Sequence, residues 1–169
     1  MAKTEISTLG EFGLIKHLTK DFPTYQPSTQ KAIGDDAAVL NHKDKRTLVT
    51  TDLLLEGIHF NLEYAPLKHL GYKAAVVNFS DIYAMNATPT QITVSLGISK
   101  RFSVEDLEEL YAGIRLACER YNVDLVGGDT SASMTGLTIS ITCIGTAYDS
   151  DIVYRNGAKV NDLICVTGN

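Results

Sequence analysis

Two stretches of strict alternation limit the fold more than anything else in this chain. In "QITVSLGI", Ile92, Val94, Leu96 and Ile98 take one face and Thr93, Ser95 and Gly97 the other; in "LTISITCIGTA", Leu137, Ile139, Ile141 and Cys143 oppose Thr138, Ser140, Thr142 and Ile144. A period of two sends successive side chains to opposite sides of a strand, so both stretches read as half-buried strands. Their second face carries small, uncharged β-formers, whereas a solvated sheet face usually gathers lysine and glutamate. That pattern predicts a face packed on a second subunit; a mildly polar solvated face is the plainer alternative.

The remaining elements follow from local signals. Thr8-x-x-Glu11 has capping-box spacing, and Phe12, Ile15 and Leu18 recur at helical intervals, so a helix is expected near residues 9–20, weakened by Gly10 and Gly13. "DFPTYQPSTQ" carries two prolines and reads as loop, and "TLVTTDLLLEGIHF" (47–60) as a strand after the charged turn "HKDKR". Pro66 suits the first turn of a long helix that Pro89 closes, with Leu70, Ala74, Val77, Asp81 and Met85 on one face. Ser103-x-x-Asp106 caps a further helix with the stripe Val104, Leu107, Leu110, Tyr111, Ile114, Cys118 and Tyr121. A short strand "VDLV" runs into the loop "GGDTSASMTG".

Strands with helices long enough to cover one face predict an α+β domain over residues 1–150, with a mixed or antiparallel sheet. Residues 151–169 read as a linker and a fresh strand, "DLICVTGN", as if a second domain began there and the chain were part of a longer protein.

Composition narrows the function classes. A chain of 169 residues with 44% apolar and 21% charged residues is globular in character. It has neither an apolar run of membrane length nor a basic-then-apolar leader, so a cytoplasmic protein without membrane contact is expected. A net charge of -5 with no basic cluster argues against nucleic acid as the main partner. Cys118, Cys143 and Cys165 stand singly in apolar segments without CxxC spacing and read as small buried hydrophobes, not zinc ligands.

The acids carry the functional signal. Asp35 and Asp36 follow Gly34, Asp52 ends Thr50-Thr51-Asp52, Asp81 ends "NFSD", and Asp129 follows Gly127-Gly128. Each borders an apolar element without a basic residue at neighbouring or helical spacing. Desolvating an unpaired carboxylate is costly, so gathered acids call for a cation. Carboxylates, hydroxyls and glycine-exposed carbonyls are magnesium ligands, and magnesium held by aspartates commonly holds phosphate as well. No G-x-x-x-x-G-K-[ST] sequence is present, so a nucleotide would bind through metal bridges and loop amides, which points to direct phosphoryl transfer. Each acid also has a plainer reading: a turn or cap for Asp35 or Asp36, a strand end for Asp52, an Asx turn for Asp129. Asp81, in register with apolar residues in mid-helix, fits such a reading least.

"IGDDAAVL", "TTDLLLEGIHF", "NFSDIYAM", "VGGDTS" and "VYRNGAK", in this order and spacing, resemble the thiamine-monophosphate kinase family of the AIR synthase-like superfamily. The resemblance implies transfer of the γ-phosphoryl group of ATP to thiamine monophosphate, with several magnesium ions. It implies an N-terminal half-barrel that pairs with its twin in a homodimer, and a second α/β domain. On individual residues it implies metal ligands at Asp36, Thr50, Thr51, Asp52, Asp81 and Asp129, with Asp35 in support. It implies nucleotide contacts at Tyr111, Gly128, Asp129 and Arg155, and a substrate contact at His59. Alternation would send Thr51 to the opposite face from Asp52 unless a bulge intervenes or Thr51 uses its carbonyl. No general base stands out. Another superfamily enzyme, of AIR synthase or selenophosphate synthetase type, and a non-catalytic dimerisation or metal-binding module remain the alternatives.

Overall fold

A computed structural model describes residues 4–33, 39–154 and 156–166. Its centre is a four-stranded sheet in the order β3-β6-β4-β5, with β3 spanning Arg46–Leu55, β4 Thr88–Ile98, β5 Asp124–Ala132 and β6 Thr138–Ala147. β6 runs antiparallel to both neighbours and β5 runs parallel to β4, so the sheet is mixed. Two long helices, α2 (Leu67–Ala84) and α3 (Val104–Tyr121), cover one face, and a short helix α1 (Gly10–Thr19) leans on α3. A small hairpin of β1 (Thr29–Lys31) and β2 (Val39–Leu40) stands apart from the main sheet.

The alternating stretches behave as their period demands. Ile92, Val94, Leu96, Ile98, Ile139, Ile141 and Cys143 are buried under the helices. On the other face Thr93, Ser95, Thr138, Ser140 and Thr142 are half-buried, while Val49 is 66% exposed and Leu53 52% exposed. The helices pack with their backbones in contact. A Cβ on Gly71 of α2 would lie 2.0 Å from the Leu110 carbonyl oxygen of α3, and one on Gly113 would lie 1.9 Å from that of Lys68. Any side chain at either position would force the helices apart. α3 starts with the expected capping box, Ser103 accepting from the Asp106 amide, and ends on Asn122 in the left-handed conformation.

Four local expectations are corrected. Leu9 is the N-cap of α1, without a side-chain hydrogen bond, and Thr8 belongs to a preceding 3-10 turn (Ile6–Thr8), so Thr8 is not the cap that its spacing predicts. The loop ends earlier than its prolines imply, since Thr29 and Gln30 already belong to β1, in which Thr29 pairs with Leu40. "VDLV" continues as β5 through Gly127, Gly128 and Asp129 to Ala132, because β4 supplies a parallel partner for the full length. Residues 162–166 form no strand. Leu163, Ile164 and Val166 are 88–97% exposed, as befits an apolar segment with no ladder partner among the described residues.

Candidate active site

β3 and α2 bring two of the predicted acids together. Leu48, Thr50, Asp52 and Leu54 point from β3 toward the helix side, and the Thr50 hydroxyl donates to Asp81 Oδ2 at 2.7 Å. Asp81 lies on the exposed rim of α2. The buried stripe of that helix runs through Leu70, Ala74, Asn78 and Ile82, so Asp81 is a neighbour of that stripe and not a member of it, as the sequence reading had placed it. Burial, and then the charge of Asp81, push the Asp52 carboxyl above its usual range. Among the described residues no lysine, arginine or histidine pairs with either acid. Nor do three His, Cys, Asp or Glu side chains converge there as a complete metal-binding group.

Next to this pair opens a cleft of about 660 Å³, a size suited to a small organic ligand. Leu48, Val49, Ile82, Ala84, Met85 and Val153 make its apolar walls; Thr50 and Asp81 supply polar groups on one side, Tyr154 and Asn156 on the other. Arg155, between the last two in the chain, lies outside the described residues, as do Asp35 and Asp36.

The other predicted site residues are dispersed. β3 pairs with β6 in unbroken register from Arg46 to Leu55, so no bulge rotates Thr51 toward Asp52. The Thr51 hydroxyl stays on the uncovered face, donating to the Ile141 carbonyl at 3.1 Å and accepting from Thr142 at 3.1 Å. Asp129 pairs with Ser95 and shares that uncovered face, on the strand at the opposite edge from β3. Gly128 stands in the same cross-strand row as Asp52, through Ile141 and Val94. A Cβ on Gly128 would meet the Val94 carbonyl oxygen at 1.9 Å, so strand pairing alone already requires glycine there.

His59 is exposed in the turn after β3. Its Nδ1 accepts from the Leu55 amide at 3.0 Å, which in the neutral ring leaves the proton on Nε2, and Lys73 donates to its carbonyl at 3.4 Å. Tyr111 is 8% exposed, edge-on to Phe22, and burial pushes its hydroxyl up to about 12, so little of its surface is open to a ligand. Cys118 and Cys143 are buried as expected, with burial raising both thiols to about 12, whereas Cys165 is exposed.

Sequence reasoning missed Asn78. Fully buried, it donates to the Ala74 carbonyl at 3.0 Å and accepts the Asp52 amide at 3.0 Å, locking α2 to β3 beside the acid pair. Its spacing of four from Ala74 and Ile82 was the available signal: a polar residue inside the buried stripe.

With this geometry established, comparison with known proteins is specific. Residues 34–147 match the family described as "AIR synthase related protein, N-terminal domain". The chain belongs to this family. It is 35% identical to the thiamine-monophosphate kinase of Bacillus subtilis over 161 residues, which cover 95% of this chain and 49% of the relative. Among solved structures it is similar to the thiamine-monophosphate kinase of Stenotrophomonas maltophilia K279a, with TM-score 0.71, 29% identity, 86% of this chain and 44% of that one covered. It is also similar to AaThiL complexed with AMPPCP and TMP, with TM-score 0.64, 35% identity, 94% and 48% covered. The chain thus spans about half the length of the relatives it matches. Among its described residues no helix is long and apolar enough to cross a membrane.

Proposed function

We propose that this chain is the ATP- and magnesium-binding half of an enzyme that phosphorylates thiamine monophosphate to thiamine diphosphate. The observation that carries the reading is the pair Asp52 and Asp81, which no cation among the described residues compensates, with Asp81 and Thr50 lining an apolar cleft. The relatives named thiamine-monophosphate kinase, and the likeness to a structure holding AMPPCP, an ATP analogue, with TMP, support the same substrates.

The donor set fits magnesium: two carboxylates and a hydroxyl, all oxygen, with no cation of the described chain to neutralise them. Asp52, Asp81 and Thr50 would hold it, joined by Asp36 from the segment that follows β1. Bound there, magnesium would supply positive charge to the phosphoryl group in transfer. The chain does the positioning. Asn78 fixes the backbone of Asp52, and Thr50 orients the Asp81 carboxylate. His59 presents an Nε2–H donor suited to an acceptor phosphate. Gly128 and Asp129, three strand spacings or roughly 14 Å from β3, would meet a different part of an extended nucleotide than Asp52 and Asp81 do. Arg155, which in sequence stands between the cleft residues Tyr154 and Asn156, would contact the nucleotide. No side chain is assigned as general base; alignment and charge carry the reaction.

The uncovered face of the sheet, uncharged over β3, β6 and β4 and with Val49 and Leu53 exposed on it, is proposed to pack on a second copy of the chain. A cytoplasmic location is proposed on the same footing as the substrates.

Calorimetry with AMPPCP tests the reading. Binding is expected with magnesium and absent in EDTA, and Asp81→Asn is expected to weaken it by roughly a hundredfold. In sedimentation the same samples should run as dimers. Nucleotide binding indifferent to both magnesium and Asp81 would overturn the kinase reading and favour a structural module.

A further inference from the structure

Asp124 is the one fully buried acid of the described chain, 1% exposed at the first position of β5, and the phosphoryl-transfer reading gives it no task. Its surroundings are specific. The carboxylate accepts the Tyr25 amide, the Gln26 amide at 3.1 Å on both oxygens, and the Thr29 hydroxyl. No cation among the described residues pairs with it. Thr29, the first residue of β1, in turn accepts from Gln91 Nε2 at 2.9 Å, and the same Gln91 nitrogen donates to Ser28 Oγ at 2.8 Å. Gln91 is itself fully buried. Its oxygen faces His42 Nε2 at 3.2 Å, and the Asn41 amide donates to the Ser28 carbonyl at 2.9 Å, so the network reaches the end of β2 as well.

Both strands of the β1–β2 hairpin are therefore rooted in one buried polar network, and the chain between those strands carries Gly34, Asp35 and Asp36. We propose that Asp124 is a positioning residue, which through Tyr25, Gln26 and Thr29 fixes the two ends of the segment bearing Asp35 and Asp36. The inference rests on the proposed function for what that segment does, but not for the anchor itself. A carboxylate is needed because its two oxygens accept from three donors at once. An amide would offer one accepting oxygen and, in either orientation, turn its own N–H groups toward the Gln26 amide and either the Tyr25 amide or the Thr29 hydroxyl.

The test uses Asp124→Asn and Thr29→Val, with Thr29→Ser as the conservative control that keeps the hydroxyl. Amide hydrogen exchange is read together with AMPPCP titrations at stepped magnesium concentrations. In Asp124→Asn and Thr29→Val, exchange at residues 25–31 and 39–42 is expected to rise roughly tenfold or more, with α2 and β6 unchanged. The magnesium concentration giving half-maximal nucleotide binding should rise several-fold, while affinity at saturating magnesium returns to that of the original chain. Thr29→Ser should match the original on both measures. Hairpin amides that keep their protection overturn the proposal. So does a loss spread evenly over α2 and β6, or an unmoved magnesium midpoint in a chain that binds nucleotide. If the unsubstituted chain shows no magnesium-dependent binding, the kinase reading has failed, and exchange alone decides the anchor: selective loss supports it, retention overturns it. Should Asp124→Asn not fold, Thr29→Val carries both readouts.

Discussion

Two acidic regions of this molecule are handled in opposite ways. At the root of β5, Asp124 is buried and surrounded by the chain's own donors, two backbone amides and a hydroxyl. Between β3 and α2, Asp81 accepts a single hydroxyl, that of Thr50, and its charge bears on Asp52. The first acid has its donors from the chain's own fold; the second pair has no cation among the described residues. Buried or clustered acids are thus not one kind of signal, and the local count of donors separates an anchor from a site.

Removing each acid should break the comparison in opposite directions. The largest effect is expected from Asp124→Ala, which leaves the Tyr25 and Gln26 amides and the Thr29 hydroxyl without their acceptor. A loss of about 3 kcal/mol in urea-unfolding stability is expected. A loss below about 1 kcal/mol would mean that water replaces the carboxylate easily and that the region is no anchor.

Asp81→Asn should move stability the other way. In EDTA at neutral pH it removes the repulsion on Asp52 while the amide oxygen still accepts from Thr50, so the folded state should gain about 0.5 kcal/mol, Asp81 being exposed and its charge screened by solvent. The same substitution is the one expected to weaken magnesium-dependent nucleotide binding by roughly a hundredfold. A destabilised Asp81→Asn chain would place Asp81 with the structural acids.

Part of this contrast is legible in the sequence alone. Strand alternation foretold that Thr51 and Asp52 point to opposite faces, and the unbroken β3–β6 register keeps them there. The stripe of α3 and its Ser103 cap were equally plain, because their signals lie within one helical turn of each other. On α2 the register is harder to read: Ala74, Ala75 and Asn78 lie in its buried stripe, and with small or polar residues there the apolar period is weak. Gly127-Gly128-Asp129 carries turn chemistry, yet pairing with β4 extends it into strand, a long-range choice that local residues do not announce. Asp124 was passed over for a similar reason. Its partners Tyr25, Gln26 and Thr29 lie 95 to 99 residues away along the chain.

The smallest effects are those of pH, and they test the contrast along a single strand and the turn that follows it. Glu56, directly after β3, is pushed up by burial. Its bond to Arg101, the Leu137 amide at 2.8 Å and the Arg101 charge together outweigh that, leaving it below the usual carboxylate range. Its contribution to stability is therefore present above the unfolded carboxylate value and is lost as pH falls through the lower folded value. Asp52, four residues earlier, is shifted up by burial and by Asp81, so the folded state holds its proton more tightly than the unfolded chain. Its penalty is present above the raised folded value and is relieved as pH falls through it. In EDTA at pH 7, Glu56→Gln should then be less stable than the original chain by about 0.5 kcal/mol, Arg101 being half exposed, and Asp52→Asn should be more stable. Both differences should shrink on acidification, that of Asp52→Asn at the higher pH. Urea midpoints from pH 7 down to about pH 3 read both series through the ordinary carboxylate range. Shifts of the same sign at neutral pH would show that the two carboxylates are compensated alike, and would remove the electrostatic ground for treating Asp52 as part of a site.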